Sequence, residues 1–165
     1  GYRRLKLTIK VQAEDFDVGA ELAALTDGDH RVGGLCSFVG LVRDMAGTEL
    51  IGAMTLEHYP GMTEKALQTI DTEAQARWPL EATLIIHRYG RLEPGDRIVL
   101  VAAASAHREA AFDGCHFLID WLKTRAPFWK LEDTPDGGQW VSARADDDKA
   151  AARWPAASDK TEAAE

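Results

Sequence analysis

Residues 97 to 122 read Arg97-Ile98-Val99-Leu100-Val101-Ala102-Ala103-Ala104-Ser105-Ala106-His107-Arg108-Glu109-Ala110-Ala111-Phe112-Asp113-Gly114-Cys115-His116-Phe117-Leu118-Ile119-Asp120-Trp121-Leu122. Arg97 to Ala103 is an apolar run of strand length and reads as a buried strand. Ser105 is a good helix N-cap and is expected to open the helix. Ala111, Cys115, Leu118 and Leu122 then recur at helical spacing, with Phe112 and Ile119 beside them, and Pro127 limits the far end. A buried strand thus feeds directly into the longest amphipathic helix of the chain.

Upstream, Thr83 to Tyr89 is a second strand, joined to Arg97–Ala103 by the hairpin-type turn Glu93-Pro94-Gly95-Asp96. A helix from the Pro60-Gly61 turn to near Trp78 carries a stripe of Leu67, Ile70 and Ala74, and Pro79 stops it. Ile51 to Tyr59 and Val32 to Arg43 are strands. Gly33, Gly34 and Gly40 in the latter point to a bulge or a close backbone approach. Asp44 to Leu50 is polar and is expected to be a mobile loop. Leu5 to Val11 alternates as an edge-type strand, and Asp17 to Leu25 is a short helix closed by the turn Thr26-Asp27-Gly28-Asp29. Downstream, Phe128–Glu132 and Trp140–Ala143 are short strands around Thr134-Pro135-Asp136-Gly137-Gly138, and Asp146–Trp154 is a last helix. Strands and helices mix without strict βαβ alternation, which makes the class α+β. One domain is expected over residues 1–154, with a frayed tail at 155–165.

The chain of 165 residues suits a single domain with a real core, and its formal net charge is −8. That acidity argues against general nucleic-acid binding, which needs excess Lys and Arg. No apolar run approaches membrane-spanning length, and no signal peptide is visible. The two cysteines, Cys36 and Cys115, lie in apolar runs and match no metal spacing. They are expected to be buried free thiols in a reducing cytoplasm.

Candidate chemistry gathers in three places. Leu122 to Glu132 interleaves Lys123, Arg125 and Lys130 with Pro127, Phe128 and Trp129. This fits a pocket floor, where aromatic walls lower the dielectric around cations facing an anion. Composition by itself favours a helix end followed by a strand with snorkelling lysines. Lys123 falls at the border of the apolar stripe, where burial and nearby cations lower an amine pKa and a helix C-terminus raises it. Ser105-Ala106-His107-Arg108 places a cation at a helix N-terminus, where it opposes the dipole unless an anion sits between. The alternative is a surface arginine and a structural histidine. Arg43 ends a strand beside a loop, and Lys130 alternates with Phe128 and Glu132 on one strand face. His58 and His87 read as core or rim residues. The residues alone point to a metal-free pocket for a small phosphorylated or carboxylated molecule.

Leu56-Glu57-His58-Tyr59-Pro60-Gly61-Met62-Thr63-Glu64, Ile86-His87-Arg88, Ser105-Ala106-His107-Arg108 and Leu122-Lys123-Thr124-Arg125-Ala126-Pro127-Phe128-Trp129-Lys130 together resemble the catalytic large subunit of molybdopterin synthase, the MoaE family. Trp140-Val141, Ala143-Arg144 and Arg153-Trp154 continue the likeness, which runs from about Ile9 to Trp154. The resemblance implies an α/β-hammerhead-type fold, with mixed and antiparallel strands and packed helices. It also implies a sulfurtransferase that converts cyclic pyranopterin monophosphate to molybdopterin. The sulfur would come from a small ubiquitin-like partner ending in a Gly-Gly thiocarboxylate, and the chain would form a homodimer within a heterotetramer. Lys123 and Lys130 match the family's essential lysines. Arg43, His107 and Arg108 match its substrate-anion contacts, Leu131 and Glu132 its binding segment, and Arg144 an arginine offered by the neighbouring subunit. Phe38, Leu41, Val42 and Phe128 would wall the pocket, although Leu41 stands where some members carry Lys. No metal and no permanently bound cofactor are expected. The competing class is a non-catalytic dimeric module that binds a pterin or nucleotide phosphate.

Overall fold

The computed structural model describes residues 6–46, 49–50, 52–134, 137–141 and 151–155. Strand β1 (Lys6–Gln12) leads through helix α1 (Val18–Thr26) to β2 (Gly34–Leu41). The short strands β3 (Met45–Ala46) and β4 (Glu49–Leu50) precede β5 (Met54–His58), helix α2 (Met62–Arg77) and β6 (Leu80–Arg88). Then come β7 (Gly90–Leu92), β8 (Arg97–Ser105), helix α3 (Arg108–Arg125), β9 (Phe128–Thr134) and β10 (Gly137–Val141). The first sheet has the order β1-β6-β8-β2 and the second β10-β9-β5-β7. β1 runs parallel to β6 at the sheet edge, and the remaining pairings of both sheets are antiparallel. This is the mixed α+β single domain that the pattern of elements implied.

β6 and β8 are covered on both faces, and their period-two alternation sorts the core into two halves. Ile85, Val99, Val101 and Ala103 point to α2 and α3, where Leu67, Ile70, Ala74, Cys115, Phe117, Leu118 and Leu122 meet them. Leu84, Ile86, Leu100, Ala102 and Ala104 point the other way, to Phe16 and Leu25 at and before α1. Met54, Leu56 and Leu92 bring the second sheet into the first half of the core. Each fully buried Leu, Ile, Val or Phe among them contributes about 1.5–3 kcal/mol.

Local chemistry sets the element ends. Asp17 caps α1, its Oδ1 accepting from Ala20 N at 2.9 Å. Gly28 and Gly61 take positive φ at the turns after α1 and before α2. Ala151 and Trp154 pack back on the core. Trp154 donates from Nε1 to Asp120 Oδ2 at 2.7 Å and meets Trp78 edge-on, with ring centroids 5.3 Å apart.

Four expectations change. Ser105 does not cap α3: it is the last residue of β8, and its Oγ donates to Pro79 O at 2.8 Å, leaving His107 as the N-cap. The turn after β6 is not a simple hairpin, because the chain first leaves the sheet as β7 to pair with β5. The Asp44–Leu50 segment contains the two-residue β3–β4 ladder, too short to leave a sequence pattern. Phe112, placed beside the buried stripe, is 59 % exposed, so that flank of α3 faces outward. Of the final helix, only 151–152 are helical among the described residues; residues 146–150 and the tail at 156–165 lie outside them.

Candidate functional site

α3 has two ends with different chemistry. At its start, His107 is extended (φ −127, ψ 147) and makes no side-chain cap hydrogen bond. Arg108 is the first helical residue. Strand β2 presses against this turn: a Cβ on Gly33 would lie 2.2 Å from Ala106 O, and one on Gly34 3.2 Å from Arg108 Cα. Both glycines are therefore places of close backbone approach. His107 and Arg108 are exposed, beside the N–H groups of a helix N-terminus.

At the far end, Lys123 sits exposed on the last turn, and Arg125 lays its guanidinium over Trp121 at 3.8 Å from the ring centroid. Arg125 is thereby held against the helix. Ala126 ends α3 and Phe128 opens β9, its amide donating to Ala126 O at 2.9 Å. Phe128 stacks on His87 with centroids 3.7 Å apart and planes 16° from parallel. His58 follows at 6.2 Å from Phe128 and 4.4 Å from Tyr89. Four rings from β5, β6, β9 and the residue after β6 thus join the two sheets where α3 stops. Lys130 lies two residues past Phe128 and shares its strand face. In the ladder Lys130 stands opposite Leu56.

His87 is buried, and its imidazole pKa falls from the ordinary 6.5 to about 3. Burial is the main cause, and the charges of Lys123 and His58 push the same way. Nδ1 lies 2.8 Å from Arg88 O, which makes Nδ1–H the donor in the neutral ring. The sequence assigned His58 and His87 to core or rim. That placement is right for His87, but nothing in the sequence alone put it beside Lys123.

Arg43 follows β2 at the same end of the first sheet. Its predecessor Val42 is clamped by Val42 N–H to Asp96 O (2.9 Å) and Gly95 N–H to Val42 O (2.8 Å). Val42 itself, expected in a pocket wall, is 4 % exposed and belongs to the core beneath. Phe38 and Leu41 are 42 % and 54 % exposed on the edge strand. The Phe38 ring reaches over Gly40, where a Cβ would come 3.5 Å from Phe38 Cε1 and 2.7 Å from Val99 Cγ1. The β2 register also shifts between Gly40 and Leu41, the bulge anticipated there. The backbones of Leu131 and Glu132 pair with Thr55 and Met54. Their side chains, and Arg144 altogether, lie outside the described residues.

The structure therefore brings Lys123, Phe128, Lys130 and Arg43 to one end of the fold and His107 with Arg108 to the other. At the α-helical rise, Arg108 and Lys123 are about 22 Å apart along the axis. The cysteines meet between β2 and α3. Cys115 is buried and Cys36 half-buried, both are free, and burial followed by the neighbouring Cys36 pushes the Cys115 thiol up, away from the reactive thiolate. No described helix is long and apolar enough to cross a membrane.

The family model described as MoaE protein matches residues 11–125. That span includes Arg43, His107, Arg108 and Lys123 and ends before Lys130. The chain is 56 % identical over 148 residues to a molybdopterin synthase catalytic subunit of Pseudomonas aeruginosa, covering 90 % of this chain and 99 % of that one. A protein of the same description from Ralstonia nicotianae is 53 % identical over 157 residues, covering 95 % and 89 %. Among solved structures, a molybdopterin biosynthesis MoaE protein from Burkholderia ambifaria superposes with a TM-score of 0.78 at 54 % identity, covering 90 % and 97 %. A molybdopterin synthase from Staphylococcus aureus superposes with a TM-score of 0.74 at 29 % identity, covering 81 % and 96 %.

Proposed function

This chain belongs to the MoaE family of molybdopterin synthase catalytic subunits, and from that membership we propose that it converts cyclic pyranopterin monophosphate to molybdopterin. It is an enzyme of molybdenum cofactor biosynthesis, which removes the non-catalytic binding module as a reading. The sulfur donor in this proposal is the C-terminal thiocarboxylate of a small ubiquitin-like partner ending in Gly-Gly. In each transfer the thiocarboxylate sulfur bonds to a substrate carbon, and water then cleaves the resulting thioester at its acyl carbon, leaving the sulfur on the substrate and a carboxylate on the partner, so two deliveries complete the dithiolene. No permanently bound cofactor is required, because the sulfur arrives on the partner and the reacting framework is the substrate's own. The cytoplasm, where both partners would meet, is the compartment proposed.

The observation that carries the reading is the grouping of Lys123, Phe128 and Lys130 where α3 passes into β9, with Arg43 at the same end of the sheet. Cations beside an aromatic surface suit an extended anionic tail, with the lysines pairing its terminal group. Lys123 supplies an amine that can carry a proton or add to an acyl carbon, and arginine can do neither near neutral pH. Neither cysteine is needed as a sulfur carrier, in keeping with the raised pKa of Cys115.

His107 and Arg108 suit the substrate phosphate, but one small pterin cannot span the length of α3 to reach Lys123 of the same chain. We therefore place His107 and Arg108, like Arg144, in the site of a neighbouring copy across a two-fold contact, with one partner subunit bound to each copy. The functional test is turnover of cyclic pyranopterin monophosphate with thiocarboxylated partner. Lys123→Ala is expected to leave a folded protein with little or no product. Near-normal turnover by that variant would remove the lysine from the chemistry.

A further inference from the structure

We propose that His87 is a positioning residue for the lysine pair, fixing where β9 leaves α3 and so where Lys130 stands relative to Lys123. The inference rests on the lysine reading above and adds to it a residue that does not itself touch the substrate.

Lys123 belongs to α3, which packs on the first sheet. Lys130 belongs to β9, which is hydrogen-bonded into the second sheet opposite Leu56. Only Ala126 and Pro127 separate α3 from β9. The ladder with β5 sets the direction of β9, and a link that short makes its offset from α3 depend on how its first residue is held against the first sheet. Phe128 is that residue, and the ring packed flat on it is His87, from β6 of the first sheet. The stack is the direct ring contact between the sheet that carries α3 and the strand that carries Lys130. Because Phe128 and Lys130 share a strand face, tilting one tilts the other.

His87 suits this role for three reasons. The Nδ1–H bond to Arg88 O fixes the plane of the imidazole. Its place opposite Val99 in the centre of the sheet fixes its Cα. It also stays uncharged near neutral pH, with Lys123 and His58 as the charged or titratable groups facing it, so the stack adds no further cation beside the lysines. An aliphatic side chain would fill the space without setting the plane of Phe128.

The test compares His87→Leu with His87→Phe, both assayed below their melting temperatures, with Lys123→Ala and Lys130→Ala alongside. A misplacement of about 1 Å can cost up to 100-fold in rate, so His87→Leu is expected to lower kcat by tenfold or more. KM for the pterin should move less than threefold, because Arg43 after β2 and His107 and Arg108 at the start of α3 are held independently of β9. His87→Phe, which restores a flat ring, should recover most of kcat. Amide exchange in residues 126–131 should quicken in the leucine variant and return toward normal in the phenylalanine one. If His87→Leu fails to fold, His87→Met takes its place. A folded aliphatic variant with kcat within twofold of wild type would overturn the proposal, as would a folded His87→Phe impaired as badly as the aliphatic one. Normal turnover in both lysine variants would instead retire the lysine reading on which the proposal rests.

Discussion

Burial of a neutral His87 makes the fold lose stability in mild acid. In the unfolded chain the imidazole titrates near 6.5, and in the folded protein near 3. Between those values the unfolded chain holds one more proton at this position than the folded chain, so stability falls as pH falls. The contribution is fully present above about pH 6.5 and declines by about 1.4 kcal/mol per pH unit below it. At pH 5 the loss is about 2 kcal/mol, and at pH 3, where the folded imidazole also begins to take its proton, it is about 4 kcal/mol. The perturbation is His87→Phe, which keeps a ring on Phe128 and takes no proton. The assay is thermal unfolding of both proteins from pH 7 to pH 5 at one protein concentration, since assembly also shifts apparent stability. Wild type is expected to lose roughly 4–8 °C more than the variant over that range. The window avoids Asp15 and Asp29, whose carboxylates are held below the usual range by hydrogen bonds from Arg97 and Arg31 and so titrate in stronger acid. Parallel melting curves for the two proteins from pH 7 to pH 5 would refute the assignment of a buried neutral imidazole.

Further outcomes follow from the geometry. In mixed dimers carrying Lys123→Ala on one chain and Arg108→Ala or Arg144→Ala on the other, about half the wild-type rate is expected, because one site takes both defects and the other none. Activity as low as that of the parents would place those arginines in their own subunit's site. Arg108→Ala should weaken substrate binding about tenfold or more, the cost of one charge-assisted hydrogen bond, measured by titration calorimetry. Gly40→Ala should lower stability by about 1–3 kcal/mol in urea titration, since the new Cβ would meet Val99 Cγ1 at 2.7 Å. Asp120→Ala should cost about 1.5–3 kcal/mol by the same measurement, because it leaves Trp154 Nε1–H without its acceptor and removes the carboxylate facing Arg153.

Most of the core was legible because burial leaves a periodic trace. The stripe of Leu67, Ile70 and Ala74 and the row of Ala111, Cys115, Leu118 and Leu122 are buried as their spacing requires. Asp17, Gly28, Gly61 and Pro79 marked element ends through conformational rules that act within a few residues. What escaped depends on contacts distant in sequence. Ser105 has the chemistry of an N-cap, yet a carbonyl from Pro79 competes for its hydroxyl and wins. β7 is three residues long, and its pairing with β5 rather than β8 is a choice of sheet that no local pattern records. The meeting of Cys36 with Cys115 is of the same kind.

The candidate site shows this limit most sharply. Motif spacing put Lys123 and Arg108 on one helix, and a helix is itself a ruler: residues near its opposite ends cannot share a small substrate. That consequence was available from the sequence, but local patterns invite a single pocket wherever charged and aromatic residues recur. With β2 running beside α3, Gly34 at the Arg108 end and Gly40 toward the Lys123 end, the site proposed above divides into two halves at opposite ends of one helix. A two-fold assembly that sets the first half of one copy against the second half of another uses both ends of the same helix twice. Selection on α3 then acts on its length as well as on its charges: adding or removing a turn would shift Lys123 by about 5.4 Å relative to Arg108. On the proposed two-fold arrangement, the long apolar stripe that packs α3 against β8 would set the spacing of the two halves as well as the core.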